Sequence, residues 1–365
     1  MRILHINKAY SITGGVEKYL RGIANVDISG VSRVDVLAVS DNYRGRKFDI
    51  KNGSVIECSR LFKFSSAPIS ISFALKFFWM CRSYDILHFH YPNPLGEVMM
   101  ILFGPLLRNK KVVVTYHNDI SDEKPFSATY NFIVRLFFKL CDVIVVTSPN
   151  LGRSASALRA FQEKLEVIPL GIHLETTPNH SVSLEPSAST NALQLLFVGR
   201  LSAVKGVDVL IKSISGLDVN LVVVGNGDLR QELEVLARDV NANVEFWGGV
   251  SDKKLREAYE AADVFILPSV TKGEGFGYVI LEAMAHGCAI ISTELGTGTS
   301  YINQNELTGL VVRPSCDEEL SQAIIRLQRN KDELESFASQ AQKRVLNFSF
   351  DNMVSKLEAV YRSIL

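Results

Sequence analysis

Two doubly wound α/β units in tandem, each built on a parallel sheet, is the fold class this sequence predicts. Three observations predict it. Short apolar runs of strand length alternate with helical patterns almost throughout. Those runs are near-continuous Val, Ile and Leu, as strands buried on both faces require. A chain of 365 residues is also too long for one ordinary core.

In the first half, Ile3–Ile6, Val34–Val39, Ile86–Phe89, Val112–Thr115, Val143–Thr147 and Val167–Pro169 read as strands. A helix over 16–24 follows the first of them, after Thr13-Gly14-Gly15. In the second half the strands are Leu195–Val198, Leu221–Val224, Val244–Trp247, Val264–Leu267, Ala289–Ser292 and Gly309–Val312. Helices 206–214, 228–239, 252–261 and 317–329 alternate with them, which makes two α/β layers. Residues 173–191 are rich in Ser, Thr, Pro and Asn and carry no apolar period, so they read as a linker. The expected domains are therefore 1–172 and 192–350, followed by a helix over 351–365 that offers Met353, Leu357, Val360 and Leu365 for packing.

Composition is that of an ordinary globular protein, 47% hydrophobic and 21% charged. The formal net charge is zero, which gives no global case for nucleic acid. The halves differ: residues 1–175 hold 22 Lys and Arg against 15 Asp and Glu, and residues 176–365 hold 17 against 24. A basic first half suits an anionic surface or substrate. The five cysteines are scattered, with no C-x-x-C, and read as small buried hydrophobes in a reducing compartment. Residues 1–7 are too short and polar for a signal peptide, and no run of eighteen apolar residues exists to span a bilayer.

The most informative stretch is 269–288, Ser-Val-Thr-Lys-Gly-Glu-Gly-Phe-Gly-Tyr-Val-Ile-Leu-Glu-Ala-Met-Ala-His-Gly-Cys. A buried strand runs into a loop with glycines at 273, 275 and 277, and a helix starts near Tyr278. The loop leaving a parallel strand and entering a helix is where open α/β sheets bind ligands, because unpaired N–H groups and the positive helix end collect there. Glu274 and Glu282 add acceptors suited to hydroxyl groups. Glu282 lies in an otherwise apolar helix, where a carboxylate is costly without a partner. The combination suits a ligand that is part anion and part polyol.

Arg200 and Lys205 occupy another strand-to-helix loop at the same sheet edge. Two cations so close repel unless an anion lies between them, and a diphosphate fits, with Arg bidentate and Lys as a point charge. Gly225-Asn226-Gly227 and Gly248-Gly249-Val250 leave the same edge; the second offers its backbone to a nucleobase. In the first unit, the Gly14-Gly15 turn is not G-x-G-x-x-G, which argues against NAD or FAD. His117 ends a strand, where a polar side chain meets a ligand. His88 and His90 are expected on opposite faces of their strand, which argues against a metal pair; no D-x-D motif lies beside this edge and no metal site is expected. Residues 67–80 are strongly apolar and 130–140 basic and aromatic; either could touch a bilayer interface or pack against the sheet.

Gly-Arg-x(4)-Lys-Gly at 199–206, with Glu274 and Glu282 in Glu-Gly-Phe-Gly-x(4)-Glu-Ala-Met-Ala, resembles the retaining glycosyltransferases of family four, which have the GT-B architecture. Gly14-Gly15 and His117 also occupy their family places, so the resemblance covers nearly the whole chain. It implies two Rossmann-like domains facing a cleft, the first for the acceptor and the second for a nucleotide sugar, with the C-terminal helix crossing back. Carried over, Arg200 and Lys205 hold the diphosphate. Glu274 and the backbone of Gly275, Phe276 and Gly277 meet the sugar hydroxyls. Glu282 meets the ribose, His117 faces the sugar, and Gly15 approaches the phosphates. Arg200, Lys205 and Glu274 are then the catalytic set, Val250 lies by the base, and no cofactor or metal is required.

The implied reaction moves a mannose-, glucose- or N-acetylglucosamine-type hexose from a UDP- or GDP-sugar to a saccharide, in polysaccharide or O-antigen assembly. The basic first half and the 67–80 stretch add a lipid-linked acceptor on an anionic membrane, placing the protein at the cytoplasmic face of the inner membrane. A nucleotide-sugar epimerase of this architecture and a non-catalytic sugar-nucleotide binder remain open alternatives. A retaining glycosidase needs carboxylates about 5–5.5 Å apart. Eight helical positions span roughly 12 Å, and an Arg/Lys clamp has no role in hydrolysis.

Overall fold

The structure, a computed structural model, describes residues 1–10, 15–64, 67–118, 127–174 and 192–365. The chain divides into two compact units: Met1–Gly171 with Asp351–Leu365, and Ile172–Phe350. Of the expected linker, residues 175–191 lie outside the described residues, as does Thr13-Gly14.

The first unit holds strands β1 (Arg2–Ile6), β2 (Arg33–Val39), β3 (Arg46–Ile50), β4 (Gly53–Cys58), β5 (Phe62–Phe64), β6 (Ala67–Ile69), β7 (Ile86–Tyr91), β8 (Lys111–Tyr116), β9 (Val143–Val146) and β10 (Leu165–Val167). Its helices are α1 (Gly15–Ala24), α2 (Ile71–Cys81), α3 (Pro94–Phe103), α4 (Ser127–Leu140) and α5 (Pro149–Ser154). Eight strands form one sheet in the order β10-β9-β8-β7-β1-β2-β4-β3. The chain winds one way from β1 to β4 and the other way from β7 to β10. The order therefore reverses between β1 and β7, which opens a ligand crevice at their carboxyl ends.

The central strands are buried on both faces, which is why they read as continuous apolar runs. The sheet is not wholly parallel as expected: β3 pairs antiparallel with β4. That hairpin escaped the sequence reading because β3 is a polar, largely exposed edge, where no apolar run is needed. The short β5–β6 pair is likewise antiparallel.

Helix α2 begins at Ser70, whose hydroxyl accepts from the Phe73 amide at 3.1 Å. Its Phe73, Phe77 and Cys81 enter the core, so the 67–80 stretch is partly core. Helix α4 buries Val134, Phe137 and Phe138, so 130–140 packs against the sheet. Helix α3 starts with Asn93 as cap and Pro94 in its first turn, and Glu97 reaches back to the Asn93 amide at 2.7 Å.

The second unit holds β11 (Leu193–Val198), β12 (Val219–Val224), β13 (Val244–Gly248), β14 (Val264–Leu267), β15 (Ala289–Thr293) and β16 (Gly309–Val312), all parallel, in the order β13-β12-β11-β14-β15-β16. Helices α6 (Val207–Ser213), α7 (Arg230–Asp239), α8 (Asp252–Glu260), α9 (Tyr278–Ala285), α10 (Thr299–Ile302), α11 (Asp317–Arg329) and α12 (Lys331–Val345) connect or cover them. Here the order reverses between β11 and β14, the strands that carry the Arg200/Lys205 and Glu274 loops. The last helix, α13 (Phe350–Ser363), belongs to the first unit from Asp351 onward.

Candidate active site

The loop after β11 turns through a short helical turn at Ala203–Lys205 into Gly206, at φ +62°. Only glycine fits there: an added Cβ would come within 2.3 Å of the Pro268 carbonyl oxygen. The amide of Val270 donates to the Val204 carbonyl at 2.9 Å. These two contacts hold the β11 and β14 loops together and set Lys205 against Glu274. Lys205 Nζ donates to Glu274 Oε2, and Ser269 Oγ donates to the same oxygen at 3.2 Å. The side chains are only 20% and 11% exposed, so the pair is partly desolvated.

Arg200 differs. Its guanidinium is 71% exposed and lies 3.6 Å from the carboxylate of Asp228, itself almost fully in solvent. Such a pair is weak, which leaves Arg200 available to a ligand. The expectation that only a ligand anion could separate the two cations is thus corrected: each already has a protein carboxylate, Glu274 for Lys205 and Asp228 for Arg200.

Beyond Glu274 the chain passes through Gly275, Phe276 and Gly277 into α9. Gly298 donates to the Gly275 carbonyl at 2.8 Å, which fixes the loop. Among the described residues, the amides of Gly275, Phe276 and Gly277 donate to no backbone carbonyl. They are donors at the head of a helix, suited to an anion or a hydroxyl oxygen. Glu282, on the second turn of α9, is half-buried and accepts from Tyr259 Oη at 3.1 Å. The carboxylate therefore has the partner its apolar helix demands, from α8. Val250 is half-buried just past β13, the edge strand. Two strand spacings, roughly 10 Å, separate β13 from β11.

In the first unit, Gly15 opens α1, exposed, with nothing within 4 Å of an added Cβ. His117 follows β8 directly and is 4% exposed. Its Nε2 meets Nδ1 of His90 at 3.2 Å, and Nε2 of His90 meets Nδ1 of His5 at 3.1 Å. His88 lies against them, bonded through Nε2 to Thr115 Oγ1 at 2.7 Å and through Nδ1 to the Tyr361 hydroxyl of α13. The expected opposite facing of His88 and His90 is wrong. Residues two apart on a strand share a face, and their rings stack at 4.8 Å. Burial holds His5 and His117 down to about 3 and keeps His88 and His90 well below the ordinary value, so all four are neutral.

Glu97 is a further buried ionisable group, outside the motifs noted in the sequence. It is 1% exposed, bonded by Tyr130 Oη at 2.7 Å, and burial pushes it up to about 7. Asn93-Pro94 is a helix-start signal, but Glu97 lies one position beyond the spacing of a capping box, so the pattern does not single it out. No three described His, Cys, Asp or Glu side chains are arranged to hold a metal ion. Cys58, Cys81, Cys141 and Cys288 are free and buried.

The sequence profile of "Glycosyltransferase Family 4" matches residues 13–176, and that of "Glycosyl transferases group 1" matches 185–344. The D-rhamnosyltransferase WbpZ of Pseudomonas aeruginosa is 32% identical over 94% of this chain and 91% of its own. The chain belongs to the family-four glycosyltransferases. This glycosyltransferase is also 28% identical to the O-antigen chain mannosyltransferase C of Escherichia coli, over 100% of this chain and 99% of that one. The structure of Anabaena HepE in complex with UDP and glucose covers 100% of both chains with a TM-score of 0.79 at 19% identity. The glycosyltransferase thus has the GT-B fold, and the switch point of its second sheet carries the loops of Arg200, Lys205 and Glu274.

Proposed function

We propose that this glycosyltransferase moves a hexose of the manno series from a UDP- or GDP-sugar to a lipid-linked saccharide acceptor, with retention and without a metal, in O-antigen-type polysaccharide assembly. The observation that carries the reading is the convergence of Arg200, Lys205 and Glu274 at one switch point, beside the free amides of 275–277. The sugar series follows the two relatives, a mannosyl- and a rhamnosyltransferase. Arg200 and Lys205 take the diphosphate, and Glu274 with the loop amides takes the sugar hydroxyls. Glu282 takes the ribose and Val250 lies by the base; the family resemblance also assigns Gly15 and His117 to the donor.

In the reaction the bond from the anomeric carbon to the diphosphate breaks and its electron pair leaves on phosphate oxygen. Arg200, Lys205 and the head of α9 stabilise that charge as it develops. The acceptor hydroxyl attacks the anomeric carbon from the same face, and its proton passes to the departing phosphate. No protein base is called for, and Glu274, already engaged by Lys205, is a positioning and electrostatic group.

For the acceptor, a cavity of about 160 Å³ lies past β1 and β2, lined by Lys8, Glu17, Asp41 and Lys63 among others. Mixed charge at a sheet's carboxyl edge suits a phosphorylated sugar. For the membrane, α2 presents Ile71, Leu75 and Trp79, 64%, 62% and 67% exposed, one turn apart on one face. Arg82 lies over the Phe78 and Trp79 rings, which pairs a cation with interfacial aromatics. No described helix is long and apolar enough to cross a membrane; the contact proposed is a peripheral one, at the cytoplasmic face of the inner membrane.

The test is incubation with GDP- and UDP-hexoses, with and without a lipid-diphosphate saccharide, and NMR of the new anomeric centre. Transfer with an α-linked product from an α-donor is expected. Inversion, or hydrolysis alone, would overturn the reading.

A further inference from the structure

The three rings His5, His90 and His117 form one hydrogen-bonded file beneath the crevice between β1 and β7, and neither end of it has a further hydrogen-bond partner. Nε2 of His5 and Nδ1 of His117 are buried and have no hydrogen-bond partner. A neutral imidazole carries one proton, so in such a file each ring's tautomer dictates the next. Two arrangements exist. Protons directed outward give His5 Nδ1–H to His90, His90 Nδ1–H to His117, and a bare N–H on His117 Nδ1. Protons directed inward leave His117 Nδ1 a lone pair and bury an unpaired N–H on His5.

A buried orphan donor is rarer and costlier than an under-used acceptor. Both terminal nitrogens are buried, so either arrangement leaves one N–H unpaired; the inward one leaves it on His5, inside β1, and the outward one on His117, just past the carboxyl end of β8. The outward arrangement places the open N–H where an oxygen of a bound sugar or phosphate would satisfy it. Thr115 Oγ1 is engaged by His88 Nε2, and Tyr19 meets His90 and His117 edge-on through its ring; the Lys8 ammonium, which also acts on His117, offers no acceptor. Burial also removes the doubly protonated form, since His5 and His117 are held down to about 3.

We propose that His5 and His90 are positioning residues that fix His117 as the Nδ1–H tautomer, so that it donates a hydrogen bond to an oxygen of the donor substrate. The proposal rests on the reading that His117 meets the donor. The asymmetry of the file, not any single ring, supplies the polarity. A side chain at position 5 that offers a donor in place of Nδ1 preserves it, and an apolar one abolishes it.

The experiment is long-range proton–nitrogen NMR on histidine-labelled full-length enzyme, which separates N–H from bare ring nitrogens, alongside donor kinetics. Wild type is expected to show His117 protonated on Nδ1. His5→Leu should give a mixture of His117 tautomers and lower kcat on the order of tenfold with little change in KM. His5→Asn, whose amide replaces the Nδ1 donor, should restore both. A His117 protonated on Nε2 in wild type, or a tautomer indifferent to His5→Leu, would overturn the proposal. The spectra are read without substrate, so they judge the file independently; full activity in His117→Ala would overturn the donor contact instead. If His5→Leu does not fold, His90→Gln, which keeps a group at the Nε2 position but removes the donor at Nδ1, provides the same comparison.

Discussion

Glu274 holds Lys205 across 69 positions of sequence, and the two loops that carry them are locked together by Gly206. The ammonium is therefore pre-placed before any phosphate arrives, and its orientation does not have to be ordered on binding. Lys205→Ala should lower turnover by roughly 100-fold or more while the fold survives. Glu274→Ala should do the same by releasing Lys205, and the double variant should cost much less than the sum. A steady-state double-mutant cycle checks this. Additive losses would mean the two residues act separately.

Arg200 is weakly held, so its removal leaves no buried charge behind. Arg200→Ala should keep the thermal midpoint within error and still lose turnover by orders of magnitude. Activity of the wild type should persist in excess chelator, since protein cations neutralise the leaving group. Loss reversed by magnesium or manganese would refute that.

Gly206→Ala should be harmful far beyond its size. The left-handed backbone costs about 1 kcal/mol for a side chain, and the clash with Pro268 adds to it. A lower melting temperature of the second unit together with lost activity is expected. A variant that melts like wild type would show the loop contact to be pliable.

Stability should fall on the acid side. Each buried histidine is depressed below its ordinary 6.5, so below that pH the unfolded chain binds protons the folded one refuses. Stability is then lost as pH falls, by up to about 1.4 kcal/mol per pH unit for each ring. Glu97 works the other way. Its folded value of about 7 exceeds the ordinary 4.5, so it favours folding most at low pH and withdraws that support as pH rises toward 7. Four rings outweigh one carboxyl, and denaturant titrations from pH 8 to 4 should show a steep net decline. Glu97→Gln should steepen the decline between pH 7 and 4.5, because the opposing group is gone.

The exposed row on α2 gives a membrane test free of folding artefacts. Replacing Ile71, Leu75 and Trp79 by Ser should leave the melting temperature nearly unchanged and weaken sedimentation with anionic liposomes. Phe77→Ser should instead destabilise, since that ring is core. Equal liposome binding by the triple variant and wild type would remove α2 as the docking face.

The buried parallel strands were legible because burial on two faces forces an apolar run, and β14 through α9 stands where its residues predict. The β3–β4 hairpin was not, because a polar edge strand carries no such signature. Arg200, Lys205, Glu274 and Glu282 were legible as a set of types and spacings. Their partners were not: Tyr259 for Glu282 and Glu274 for Lys205 are set by loops that meet only in three dimensions. The histidine file failed for a simpler reason, an alternation misapplied to residues two apart. His5 could be joined to it only through the register that sets β1 beside β7, where His5 pairs with His88.

Helix α13 completes a unit whose other members ended at Gly171. Tyr361 closes the hydrogen bond of buried His88, and Met353 sulfur receives the Gly171 amide at 3.2 Å. On the ribosome, the first unit is therefore translated long before its last helix exists, while the whole second unit emerges in between. Its sheet must wait with Nδ1 of His88 lacking its Tyr361 partner and an apolar groove uncovered. The first half of the chain to be made is the last to be finished, and truncation at 350 should leave a folded second unit attached to an aggregation-prone first one.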